Sequence, residues 1–160
     1  MKIEKNILLW IVVALCSLAS AASDRDRFSG TWKLVSIADT RPARETQWAK
    51  FGARPQGYIM YDRTGHMCVQ IMDPDRRKWK TIDPAYVPSS DELNATVAGY
   101  AAYCGRYDVN EKEKFVVHHV ELELVPNSVG EDRKRQYRFH GDRLDLTPAP
   151  GLTLTWEKLK

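Results

Sequence analysis

The chain has 160 residues, and its 24 lysines and arginines only slightly exceed its 21 aspartates and glutamates, so the formal net charge is +3. This length predicts a single domain. The near balance of charge, with no long run of like charges, argues against nucleic acid as a partner. Nothing in the sequence indicates an oligomeric state.

The first 21 residues have the pattern of a signal peptide. Two early lysines precede an apolar stretch from Ile7 to Leu18, and Ala19-Ser20-Ala21 fits an A-x-A cleavage site. The apolar stretch is shorter than the ~20 residues that a membrane-spanning helix needs, and an uncleaved N-terminal anchor is the alternative. We predict that residues 1–21 are removed and that residues 22–160 form a secreted or periplasmic domain without a membrane span.

The mature chain begins with a polar lead at residues 23–27, followed by a predicted strand over residues 28–37. Within this strand Trp32, Leu34 and Ser36 share one face. Residues 38–56 then form a long irregular connection. Such connections are often functional, and we expect this one to cross a mouth of the space that the strands enclose.

A hairpin over residues 57–75 is the centre of the predicted sheet. Its two strands meet at Asp62-Arg63-Thr64-Gly65, where Gly65 can adopt the positive φ of a tight turn. Met67, Val69 and Ile71 alternate along the second strand, which is typical of a strand with one buried face.

A single helix is predicted after a proline-containing connection over residues 73–88. Ser89 and Glu92 match a capping box, and Leu93, Val97 and Tyr100 recur on one face. Because the helix has only about three turns, we expect packing of this face against the sheet to stabilise it.

The rest of the chain alternates strands and turns. Along the strand that starts at Phe115, the predicted inner face contains Val116, His118, Val120, Leu122 and Leu124. The predicted outer face contains His119, Glu121 and Glu123. The densest basic stretch, Arg133, Lys134, Arg135 and Arg138, is interpreted as a solvated exterior, with an anion-binding patch as the alternative.

Together these elements predict an all-β fold: an eight-stranded antiparallel up-and-down barrel with one short helix. Closure into a barrel removes exposed strand edges, and a barrel of this size leaves room for one small ligand. A sandwich of two sheets is the alternative.

Several segments resemble a known family. Gly30-Thr31-Trp32 is similar to the lipocalin G-x-W signature, in which the tryptophan closes the barrel base. The wider resemblance, to the lipocalin-like domain family, covers essentially the whole mature chain and implies a barrel with a small-molecule cavity. Lys158 stands where an arginine commonly packs over the signature tryptophan. The segments that carry the resemblance are GTWKLVSIAD, GYIMYDRTGHMCVQIMDPDR, GYAAYCGRYDV, VVHHVELELVPNSVGEDRKRQYRF, GDRLDLTP and LTWEKL.

The two cysteines that survive cleavage, Cys68 and Cys104, lie in predicted strands. In an oxidising compartment they form a disulfide if those strands are neighbours and the pair is in register. The alternative is two buried thiols that act as small apolar side chains.

The sequence contains no Gly-rich phosphate loop, nucleophile elbow or C-x-x-C pair, which argues against the common enzyme classes. His118 and His119 are adjacent on a strand and point to opposite faces, so they cannot share a metal ion. No metal site and no cofactor are predicted.

His118 is the central candidate because its phase places it inside the barrel. It is either a buried neutral histidine with a hydrogen-bond partner, or a group that orients a ligand oxygen or moves a proton. The candidate ligand-binding residues are His118, Tyr61, Tyr103, Tyr107, Tyr137 and Trp32.

We therefore predict an exported protein that binds a small, largely apolar molecule inside the barrel. One alternative is a cofactor-free isomerase, cyclase or lyase with His118 as acid or base. Another is a partner-binding module with a filled interior. An open apolar cavity favours the first, an open cavity in which His118 contacts another polar group favours the second, and a packed interior favours the third.

Overall fold

The computed structural model describes residues 22–42 and 48–160, with only the backbone at residues 48 and 49. Eight antiparallel strands form a closed barrel, in which neighbours in sequence pair and the first strand pairs with the last. The strands are β1 (Gly30–Asp39), β2 (Gln56–Tyr61), β3 (His66–Met72), β4 (Tyr100–Asn110), β5 (Phe115–Glu123), β6 (Asp132–His140), β7 (Arg143–Ala149) and β8 (Leu152–Lys158). Two α-helices, α1 (Asp24–Phe28) and α2 (Ser90–Val97), and two 3₁₀ turns, Trp48–Phe51 and Pro126–Ser128, complete the described elements.

The predicted up-and-down barrel is confirmed, and the two-sheet sandwich is wrong. Alternation of side chains explains the closure: in β2 and β3 every second residue is buried, so one face of each strand lines the interior. The hairpin between them turns as predicted, with Gly65 at φ 99°. The face that contains Cys68 points outward.

The loops between strands alternate between the two ends of the barrel. The loops β1–β2, β3–β4, β5–β6 and β7–β8 lie at one end, which we call the mouth, because successive strands are antiparallel. The N-terminal helix and the remaining loops lie at the other end, the base. No helix in the described ranges is long and apolar enough to cross a membrane, and the predicted signal peptide falls outside those ranges.

The base is closed by a helix that was predicted to be only a polar lead. Helix α1 begins after Ser23, whose hydroxyl accepts a hydrogen bond from the Asp26 amide. It places Phe28, which is fully buried, in edge-to-face contact with Tyr61 and Tyr137, at centroid distances of 5.0 and 4.9 Å. The aromatic side chains fill this half of the barrel.

Trp32 completes the closure. Its Nε1–H donates a hydrogen bond to the carbonyl oxygen of Phe28 at 2.8 Å. Lys158 lies over the indole, with Nζ 5.1 Å from the ring centroid, and donates to the carbonyl oxygen of Arg27 at 2.9 Å. Lysine therefore covers the tryptophan at the position where the family that the sequence resembles commonly has arginine.

A buried carboxylate ties the helix to the wall of the base. Asp24 accepts hydrogen bonds from the hydroxyl of Tyr137 at 2.6 Å and from Nζ of Lys114 at 2.5 Å. Burial raises the pKa of Asp24, but these bonds and the nearby positive charges outweigh it and hold the pKa below its ordinary value.

Strand β1 contains a bulge that corrects one predicted face. The pairing with β8 shifts between Leu34 and Ser36, so Val35 is an extra residue. Trp32 and Leu34 point inward as predicted. Beyond the bulge the phase changes: Ser36 is exposed, and Ile37 packs against the core in its place.

A second bulge, in β5, has a larger effect on the interior. Cys104 pairs with Leu122 and Gly105 with Val120, so Glu121 is extra. A Cβ atom at Gly105 would collide with the carbonyl of His119, which explains the glycine. Up to Val120 the predicted faces hold. After the bulge they invert: Leu122 is 67% exposed, and the Glu123 side chain, predicted to face solvent, is only 6% exposed.

Helix α2 has the predicted capping box, since the Ser89 hydroxyl accepts from the Glu92 amide and the Glu92 carboxylate accepts from the Ser89 amide. Its predicted packing face is wrong. Leu93 and Val97 are 47% and 49% exposed. Glu92 is the buried residue, and it also accepts hydrogen bonds from the Lys80 amide and the Tyr86 hydroxyl. The helix is therefore attached chiefly through its cap and the preceding loop.

Cys68 and Cys104 are directly opposed on β3 and β4, with their Cα atoms 4.1 Å apart, and the structure joins them in a disulfide. Both side chains lie on the outer face of the barrel, since their neighbours Met67 and Val69 are buried and Tyr103 lines the cavity. The bond therefore links two adjacent strands from outside and leaves the interior unchanged.

Candidate ligand-binding site

The mouth half of the barrel encloses a cavity of about 370 Å³. This is at the lower end of the ~300–1,000 Å³ typical of small-molecule sites. Loop residues at the mouth border it, and the packed aromatic base lies beneath it. Apolar side chains form most of its wall: Phe51, Ile59, Val69, Ile71, Ala101, Val125, Leu146, Pro148, Leu154 and Trp156. Its polar lining groups are Lys50, Tyr103, His118, Glu123, Ser128, Arg133 and Arg135.

His118 lies at the junction between the cavity and the base. The ring is 1% exposed; its Nε2 lies 2.8 Å from the hydroxyl oxygen of Tyr61, and its Nδ1 lies 2.8 Å from that of Tyr103. A neutral imidazole has one donor and one acceptor nitrogen. One tyrosine therefore donates to the ring and the other accepts from it, so that neither nitrogen is free to bind a ligand.

The surroundings keep these three groups uncharged near neutral pH. Burial, followed by the positive charges of Arg135 and Arg133, holds the pKa of His118 well below its ordinary value. Burial raises the pKa of both Tyr61 and Tyr103, and the nearby Arg135 opposes this rise. A proton shift can pass along the hydrogen bonds that link Tyr61, His118 and Tyr103, but none of the three side chains is charged.

Charged groups enter the cavity from β5 and β6. Arg133 lies opposite His118 in the strand pairing, and Arg135 lies opposite Val116. Arg133 forms ion pairs with Glu123 at 2.8 Å and with Glu131 at 3.2 Å. The inverted phase after the β5 bulge is what brings the Glu123 carboxylate to this arginine.

The prediction that the basic stretch of β6 is entirely a solvated exterior is therefore wrong for two of its four residues. Lys134 and Arg138 are exposed, whereas Arg133 and Arg135 line the cavity. The sequence contained the signal, because both arginines alternate in phase with the buried Tyr137. Glu123 had no comparable signal, since its orientation depends on the bulge.

The six predicted site residues divide between the two halves of the barrel. Tyr103 and His118 line the cavity. The other four, which are also predicted to contact a ligand, are buried in the base and do not line this cavity. Each base residue uses its polar atom inside the protein: Tyr61 on His118, Tyr107 on the carbonyl oxygen of Asp62, Tyr137 on Asp24 and Trp32 on the carbonyl oxygen of Phe28.

His119 points outward, as its position next to His118 requires. Its Nδ1 lies 2.6 Å from Asp132 and its Nε2 lies 3.0 Å from Asp108. These hydrogen bonds, that to Asp132 first, raise its pKa. Within the described ranges, no group of three or more histidine, cysteine, aspartate or glutamate side chains is placed to hold a metal ion.

Residues 29–158 match the sequence profile of the lipocalin-like domain. The chain belongs to this lipocalin-like domain family. A curated relative, the 4'-hydroxy-3'-methoxypropiophenone carrier protein ppsC of Aspergillus oryzae (strain ATCC 42149 / RIB 40), is 30% identical over 86 residues, which cover 44% of this chain and 78% of the relative.

Among solved structures, the fluorescent protein UnaG gives an alignment over 83% of this chain and 98% of its own, at 11% identity and a TM-score of 0.33.

Proposed function

We propose that this lipocalin-like protein is an exported carrier that binds one small, largely apolar molecule in the mouth cavity. The observation that carries the proposal is the cavity itself: an apolar wall, a few polar groups and a closed base beneath it. Sites of this composition bind ligands mainly by burying apolar surface, with polar groups setting the orientation.

The relative supports the same class of ligand. The printed name of ppsC describes a carrier of 4'-hydroxy-3'-methoxypropiophenone, an aromatic ketone with a phenol group. A molecule of this kind combines an apolar ring with oxygen atoms. It would place the ring among Ile59, Val69 and Leu154, and its oxygens near Tyr103 and the arginines.

A titration with that ketone, followed by isothermal calorimetry, tests the proposal. We expect saturable binding at one molecule per chain. Ala101→Phe places a ring in the cavity, and we expect it to weaken binding at least about 10-fold. Ala102→Phe is the matched control, because Ala102 is the next residue of β4 and does not line the cavity. We expect binding within about 2-fold of wild type there. Equal effects of the two variants would contradict a site inside the barrel.

The second candidate is the cofactor-free isomerase, cyclase or lyase. It is favoured by one observation: the cavity is open and His118 contacts polar groups, the two tyrosine hydroxyls. Because both ring nitrogens are occupied, Tyr103 rather than His118 would deliver a proton to a bound molecule. Mass spectrometry of the titrated mixtures separates the two functions. A carrier returns the ketone unchanged, whereas an enzyme returns a converted product.

Export is part of the proposal, supported by the signal-peptide pattern of residues 1–21 and by the disulfide, which is typical of oxidising compartments. Intact mass measurement of protein from the periplasm or medium should give a chain that begins near Ala22. Thiol titration after denaturation should find no thiol before reduction and two after it. A chain that retains residues 1–21, or two free thiols without reduction, would contradict this part.

A further inference from the structure

We infer that the ligand of the mouth cavity carries an acidic group, and that its anionic form binds to Arg135. This inference deepens the proposed function and rests on it, since it requires that the cavity hold a ligand. The relative's ligand has a phenol, which is a weak acid, but neither the family nor that printed name states that an anion is preferred over a neutral molecule.

The first step is the charge of the two cavity arginines. Arg133 is neutralised, because Glu123 and Glu131 both lie within 3.2 Å of its guanidinium. Arg135 has no carboxylate within 4.0 Å among residues 22–42 and 48–160, and its Nη1 donates to the carbonyl oxygen of Lys134. A guanidinium has five N–H donors, so most of those of Arg135 remain available to a ligand.

The second step is the location of this charge. Arg135 is only partly exposed and lines a cavity whose described charged groups are three cations and one anion. The single anion, Glu123, lies 2.8 Å from Arg133 in an ion pair, although its Oε2 makes no hydrogen bond within the described residues. In such partly desolvated surroundings an unpaired charge is unfavourable, and an anion that enters the cavity gains more than it would at an exposed arginine.

The third step is the character of the other polar groups. Two buried side-chain atoms of the lining residues have no hydrogen-bond partner within the described part of the chain, Nε1–H of Trp156 and Oε2 of Glu123, so these two atoms add one donor and one acceptor. The Tyr103 hydroxyl also interacts with the Arg135 guanidinium, whose charge and hydrogen bond act against the rise that burial causes in the pKa of Tyr103. The excess of donors comes from the cationic lining residues Lys50, Arg133 and Arg135, which suit the oxygens of a carboxylate, phenolate or enolate. The apolar wall above and beside them suits an aryl or alkyl body.

Two probes of nearly equal size test this directly: 3-phenylpropanoate and 3-phenylpropanamide, titrated separately at neutral pH. Wild type should bind the acid about 10- to 100-fold more tightly than the amide, because a hydrogen bond to a charged group is the stronger kind. Arg135→Gln should remove most of this preference by weakening acid binding alone. Arg138→Gln, an exposed residue of the same strand, should change neither affinity, and Arg135→Lys should keep part of the preference.

A measurement on wild type does not depend on any variant's folding. The ionised form of 4-nitrophenol absorbs at a longer wavelength than the neutral form. Bound beside Arg135, it should ionise at a lower pH than in buffer, and its absorbance at fixed pH should shift toward the ionised band as protein is added. An opposite shift, or none on saturable binding, would overturn the inference.

The remaining outcomes separate this inference from the proposed function. Equal affinity for acid and amide, or equal loss of both in Arg135→Gln, overturns the acidic-group inference and leaves a carrier of neutral molecules. Failure of both phenyl probes, while the ketone titration saturates equally in wild type and in Arg135→Gln, does the same. Failure of every probe overturns the inference together with the proposed function.

Discussion

Replacing Trp32 by alanine should lower the free energy of unfolding by about 3–5 kcal/mol, the range for large aromatic side chains in a packed core. The indole is 1% exposed, contacts Phe139 at 6.0 Å between centroids and donates to the carbonyl oxygen of Phe28. Its removal leaves a cavity and takes the donor from the carbonyl oxygen of Phe28. It also removes the aromatic ring over which Lys158 lies. Urea denaturation followed by circular dichroism measures the loss.

Trp79 provides the matched control. It is 41% exposed, lies outside the barrel and donates to the hydroxyl of Thr96. Trp79→Ala should cost less than about 1.5 kcal/mol, the value of one hydrogen bond at a partly exposed site. Similar losses in the two variants would contradict the role of Trp32 as the closure of the base. If Trp32→Ala remains folded, ligand binding should persist, because Trp32 does not line the cavity.

His118→Phe should destabilise the fold by about 1–3 kcal/mol at pH above about 7, the cost of leaving a buried polar group without a partner. Phenylalanine keeps the ring and removes both nitrogens. The hydroxyl of Tyr61, which is 2% exposed, then has no partner, whereas Tyr103 lies beside the cavity and Arg135. His118→Phe with Tyr61→Phe should recover part of the loss. If the double variant is less stable than the sum of the single effects predicts, this account is wrong.

The same variant should alter the pH dependence of stability. The pKa of His118 is well below its ordinary value in the folded state, chiefly because of burial, and returns to about 6.5 on unfolding. As the pH falls below about 6.5, the unfolded chain takes up a proton that the folded chain does not, and stability decreases. Between pH of about 7.5 and 5, this removes at most about 2 kcal/mol from wild type and nothing from His118→Phe. Urea denaturation at both pH values should show that the free energies of unfolding of wild type and His118→Phe become more similar in acid. The same change in both proteins would contradict this prediction.

These results would also separate the two interpretations of His118. The structure favours a positioning role, because both nitrogens are used inside the protein and the hydroxyl of Tyr103 is the group that reaches the cavity. In that case ligand affinity should change less in His118→Phe than in Arg135→Gln. A variant that folds normally but no longer binds would instead support a direct role for the imidazole.

The sequence by itself determined the architecture. Alternation of apolar residues, a turn glycine such as Gly65 and the capping box at Ser89 act over a few residues, so their consequences can be predicted from neighbours alone. His118 was placed correctly inside the barrel for the same reason, because no bulge separates it from the start of β5 at Phe115.

Only the tertiary structure decided that a carboxylate, Glu123, joins the arginines at the cavity. One extra residue at Glu121 inverts the strand, and so Glu123 rather than Leu122 faces Arg133. A bulge arises from how two strands register against each other, with Gly105 admitting the close approach, and such pairing is not local in sequence. That the base is filled while the mouth stays open also depends on Phe28. This residue ends a five-residue helix beneath the barrel and packs against aromatic side chains from distant strands. Strand phase shows which side chains point inward, but whether they meet each other or a cavity is decided by packing between strands far apart in the chain.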